Sequence, residues 1–81
     1  MLGFKCFHNT GTVVTIIRSA DGWRTRIDLK EVGQDDLVTI TCKSQPTLDK
    51  AQYYAEMELL KYGHVCNLDC DGWEEFVSAV G

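Results

Sequence analysis

The 81-residue chain has no long apolar run, and its unbroken apolar stretches stop at two or three residues. A helical bilayer span needs about 20 in a row, so no segment is read as membrane-crossing. Residues 1–8 lack the apolar stretch of a signal peptide, and the expected location is cytoplasmic. Basic residues are scarce: eight Lys and Arg stand against twelve Asp and Glu, a net charge of −4. That balance argues against a generic nucleic-acid binder, which needs surplus cations to neutralise phosphates. There is no Gly-rich phosphate loop, no nucleophile elbow and no His-Glu-x-x-His element. Internal repeats and low-complexity tracts are also lacking. Nothing motif-like announces an enzyme, and none is expected.

What is present is ordinary globular composition, 44% apolar and 25% charged. At this length there is room for one small core, so residues 1–81 are read as a single domain. Charge is uneven. Residues 1–48 are nearly balanced, while residues 49–81 carry Lys50 and Lys61 against seven acidic groups.

The run Thr12-Val13-Val14-Thr15-Ile16-Ile17-Arg18 is rich in β-branched residues and reads as a strand. Asp21-Gly22 supplies a tight hairpin turn. Residues 23–30 then alternate, with Trp23, Thr25, Ile27 and Leu29 on one face and Arg24, Arg26, Asp28 and Lys30 on the other. A third strand, residues 37–43, turns Val38, Ile40 and Cys42 inward, which completes a meander. Leu2, Phe4 and Cys6 alternate as well, so residues 2–8 are read as an added edge strand.

After Pro46 the period changes. Thr47 is a natural N-cap, and Leu48, Ala51, Ala55, Leu59 and Tyr62 recur at helical spacing, with Gly63 as the stop signal. A long helix over 47–62 is expected to pack on one face of the sheet. Further on, Asp71 with Glu74 has the spacing of a capping box, and Trp73, Phe76, Val77 and Val80 fall at i, i+3, i+4 and i+7. A short C-terminal helix over 72–80 follows from that pattern. The predicted fold is therefore α+β: an antiparallel meander of three or more strands, a long helix on one face and a short helix at the end.

Four cysteines, at 6, 42, 66 and 70, fall in a chain with no secretory signal and are read as reduced thiols. His64-x-Cys66-x3-Cys70 offers three nitrogen or sulfur donors within seven residues, and Cys6-x-His8 offers two more. Zinc takes four such donors, but the spacing matches none of the usual Cys-x2-Cys patterns. These residues are read as half-buried thiols and surface imidazoles, with no metal or other cofactor expected. The stretch 67–72 places oxygen donors and a glycine as the first half of an EF-hand loop does, but Ser78 stands where a bidentate Glu is required. Arg24, Arg26 and Lys30 form a basic strand face that could track a polyanion, with Asp28 interrupting it. Trp73, Phe76, Val77 and Val80 are the anchors of a protein–protein contact, burying each other within the chain or covering a second subunit.

The strand order, the Asp21-Gly22-Trp23 hairpin and the helix opening Thr47-Leu48-Asp49-Lys50-Ala51 resemble HicB-like antitoxin domains. Short bacterial proteins with the same three-strand-then-helix plan are similar too. The similarity covers roughly residues 12–63. For the HicB-like domains it implies a fold like that of double-stranded-RNA-binding domains and a role in masking a small RNA-cleaving toxin. The expectation is a non-enzymatic bacterial interaction or regulatory protein, a homodimer or the binder of a protein partner. A nucleic-acid-binding domain or a small metal-binding protein is the alternative.

Overall fold

The computed structural model describes residues 2–30, 33, 35–66 and 70–77. Five strands, β1 (Leu2–His8), β2 (Val13–Ser19), β3 (Gly22–Leu29), β4 (Val38–Gln45) and β5 (Cys70–Val77), accompany one helix, α1 (Leu48–Leu60). They form one antiparallel sheet in the order β4-β3-β2-β1-β5. The alternation read from residues 12–30 sets which side chains share a face. The register follows a turn at Ala20-Asp21, one residue before the expected Asp21-Gly22: Ser19 lies opposite Gly22, Val14 opposite Ile27 and Ile16 opposite Thr25. Val14, Ile16 and Ile27 pack with Ala51, Ala55 and Leu59 of α1 in one buried core, and Thr25 is buried as well.

Helix α1 starts where Thr47 caps it, the Lys50 N–H donating to the Thr47 hydroxyl at 3.2 Å. Among the described strands its backbone packs over β2, β3 and β4. A helix is about 10 Å across and strands are about 4.8 Å apart, so one helix covers about three strands of a five-stranded sheet. The inner face of β1 must be covered by something else.

Three expectations need correction. The segment after Asp71 is not a helix: residues Cys70–Val77 form strand β5, antiparallel to β1. An isolated two-turn helix is unstable in water, whereas β1 offers a full ladder of backbone partners. Asp71-Gly72 accordingly opens no helix. It lies where β5 holds one residue more than β1, between the Cys6–Trp73 and His8–Cys70 pairs, and Gly72 takes the positive φ of a bulge, 96°. Secondly, β1 is an interior strand, not an edge, because β5 covers its outer side. Thirdly, α1 has 13 residues, an ordinary length rather than a long one. Val38 shares the inward register of Leu29 but is 58% exposed at the sheet edge.

Candidate metal centre

The last turn of α1 delivers two of the residues that matter. The Gly63 N–H donates to Leu60 O at 3.1 Å and the His64 N–H to Leu59 O at 3.0 Å, the paired bonds of a Schellman turn. Gly63 adopts φ +81°, which L side chains rarely take. The turn reverses the chain and brings residues 64–66 back over β1.

On β1, Cys6 and His8 are two residues apart and so point to the same face. Cys6 is fully buried and His8 is 6% exposed. The strand end is fixed by its turn: the His8 N–H donates to Thr12 O and the Gly11 N–H to His8 O, each at 2.9 Å. Thr12 is in turn held by β3, its hydroxyl donating to Lys30 O at 3.1 Å and accepting from the Lys30 N–H at 2.9 Å.

Cys6, His8 and Cys66 converge. Cys6 Sγ lies 3.6 Å from His8 Nε2 and 3.9 Å from Cys66 Sγ, and Cys66 Sγ lies 3.7 Å from His8 Nε2. A tetrahedral zinc with Zn–S of about 2.3 Å and Zn–N of about 2.05 Å sets S···S near 3.8 Å and S···N near 3.6 Å. All three edges fall within about 0.2 Å of that figure. The two sulfurs are far beyond the disulfide length of about 2.05 Å, so the spacing is that of ligands around a common centre rather than of a bond.

His64 is buried beside this trio and packs edge-on against the His8 ring, with centroids 5.4 Å apart at 87°. It is not one of the three converging donors. Cys70 is the backbone partner of His8 in the β1–β5 ladder, which brings the chain's fourth cysteine to the same corner. Cys42 is elsewhere, half-buried on β4. Burial pushes its thiol above the ordinary range, Glu58 adds to that, and Lys61 partly offsets it.

Of the donors picked out from the sequence, Cys66 is in the cluster, His64 is beside it and Cys70 adjoins it through its backbone. The sequence reading grouped these donors but took the imidazoles as surface groups, whereas His8 and His64 are both buried. The strand alternation of Cys6 and His8 was the available signal. The other candidates are dispersed. Trp73 faces α1, its Nε1–H donating to Glu56 Oε1 at 3.5 Å, while Phe76 lies on the opposite face under Lys5. Val77 is exposed, and Val80 lies outside the described residues, as do residues 67–69 of the EF-hand-like stretch. Arg24 and Arg26 lie on the face away from α1, each against a carboxylate: Asp21 at 3.4 Å and Asp28 at 3.1 Å. Lys30 stands over Gly11 in the β1–β2 turn. The basic face is therefore largely neutralised within the chain.

No known protein family, curated protein or solved structure matches this chain.

Proposed function

We propose that the protein is a small metal-stabilised module in which one zinc ion, held by Cys6, His8 and Cys66, ties the segment after α1 to strand β1. The observation that carries this reading is the agreement of three donor–donor distances with the edges of a zinc tetrahedron. Two sulfurs and an imidazole are a donor set that suits zinc over magnesium or calcium, which take oxygen. The site is structural. A thiol beside an imidazole also describes a nucleophile and its base; the full burial of Cys6 supports the structural reading over that one. The module acts by what its surface holds, as a non-enzymatic interaction or regulatory protein.

The zinc contributes by binding the folded chain and not the unfolded one. An 81-residue domain has a small core, and a structural zinc is worth about 10–16 kcal/mol of apparent binding free energy in small zinc domains. Loading deprotonates the thiols, so metal uptake releases protons. Native mass spectrometry of the protein purified without chelator is expected to show one zinc per chain. Cys6→Ser and Cys66→Ser are expected to abolish it and Cys42→Ser to retain it. Cys70→Ser distinguishes four protein donors from three plus water. Metal-free protein that takes up no zinc when it is added in excess rejects the reading.

A further inference from the structure

Cys6, His8 and Cys66 are three donors, and a structural zinc takes four. Resting on the zinc reading above, we propose that the fourth donor is Cys70. The site is then a closed Cys3His centre that clips β5, as well as the segment after α1, onto β1. Register brings position 70 to the site. Cys6 and His8 lie two residues apart on β1 and share its inner face. Cys6 stands opposite Trp73 and His8 opposite Cys70. Directly opposed residues of an antiparallel pair share a face, with Cβ atoms about 4.5–5.5 Å apart. Trp73 donates to Glu56 of α1, which identifies that face of β5 as the helix side. Position 70 is therefore on the face, and at the rung, of the converging donors.

The β5 bulge is what puts it there. In an unbroken ladder running on from the Cys6–Trp73 pair, His8 would meet Asp71, and Cys70 would fall on the outer face. Instead β5 holds one extra residue between the two pairs, and Gly72 supplies the positive φ, 96°, that the bulge requires. Bulges of this kind re-aim a side chain from one face of a sheet to the other. Other sources of a fourth donor fit less well. An open position filled by water is the mark of a catalytic zinc, whereas Cys6 is fully buried and His8 is 6% exposed. His64 packs edge-on against the His8 ring and is not among the converging donors. Cys42 lies on β4, at the far edge of the sheet.

The test is zinc-edge X-ray absorption of the protein purified without chelator, which counts the sulfurs on the metal. The expected fit is three sulfurs at about 2.3 Å and one nitrogen at about 2.05 Å. Cys70→Ser should lower the count to two. It should also weaken zinc in a chelator competition by more than the about 10- to 100-fold that loss of a residue merely supporting a ligand costs. Cys42→Ser should keep three sulfurs. The chain has four cysteines, so that result assigns the third sulfur to Cys70 even if Cys70→Ser does not fold. Zinc bound by two sulfurs in the wild type, or by three in Cys70→Ser, overturns Cys70 as the donor and leaves the site of Cys6, His8 and Cys66 standing. Protein that binds no zinc rejects that site and this proposal with it.

Discussion

At one end of the sheet, β5 carries Glu74 and Glu75 and a Gly72 bulge, and the inner face of its neighbour β1 is closed by Cys6, His8, His64 and Cys66. At the other end, β4 carries Lys43 as its one charge and a bulge of its own at Lys43-Ser44, and its inner face is closed by α1 through Ala51, Ala55 and Leu59. One end is covered by polar donors at ligand spacing and the other by hydrocarbon. The difference follows from width. A single 13-residue helix spreads over about three strands, and the two beyond it are β1, with its alternating Cys and His, and β5. Hydrocarbon burial is non-directional and tolerates repacking, while a metal clip depends on a few atoms. The two ends should therefore fail differently.

The largest expected effect is at the donor end. Chelation, or Cys66→Ser, should lower Tm by about 15 °C or more, from about 4 kcal/mol of ligand stabilisation at 4–8 °C per kcal/mol in a domain this size. Hydrogen exchange should then rise first in β1 and β5, ahead of β3. A melt that does not move on chelation removes the distinction between the two ends. Next comes Leu59→Ala at the helix end. Its side chain is fully buried, and truncation should cost about 2–5 kcal/mol in urea unfolding while zinc content stays at one per chain.

Gly63→Ala links the two ends. Holding alanine at φ +81° should cost about 1 kcal/mol, and it should also weaken zinc in a competition titration, because Cys66 follows three residues later. A stability loss with unchanged zinc affinity separates the turn from the site. The smallest effect belongs to the hairpin far from either end. The Ser19 hydroxyl, a backbone N–H and Arg24 hold the Asp21 carboxyl below its ordinary 3.8. A lowered folded value means that this contribution is present above 3.8 and is lost as pH falls through the folded value. Asp21→Asn should flatten the acid limb of stability against pH slightly, and high salt should reduce the difference, since the group is fully exposed.

The central hairpin and helix were legible because their signals are local and redundant. Ile16, Ile27 and Leu29 are placed by period two, and Thr47 and Gly63 mark the ends of a helical run by cap chemistry. Residues 73–77 misled for the opposite reason. Trp73, Phe76, Val77 and Val80 satisfy helical spacing, yet within β5 Trp73 and Phe76 point to opposite faces of the sheet, and so short a pattern does not distinguish the two. Gly3 shows how the strand alternative is accommodated: a Cβ there would collide with the Phe76 ring, which lies across β1 where a side chain is missing. In the metal cluster each donor is visible in the sequence, but Cys66 is separated from Cys6 by 60 residues and from His8 by 58.

The sequence alone determined the class of the fold, the inward faces of β2 and β3 and the capping residues of α1, because alternation and caps act between neighbours. Only the tertiary structure decided which strand takes the bare side of β1, which face Trp73 enters, and that Cys6, His8 and Cys66 share one point in space. Those outcomes depend on backbone hydrogen bonds and burial between segments far apart in the chain. Local pattern does not encode such pairings, and the ladder left open along β1 settles them.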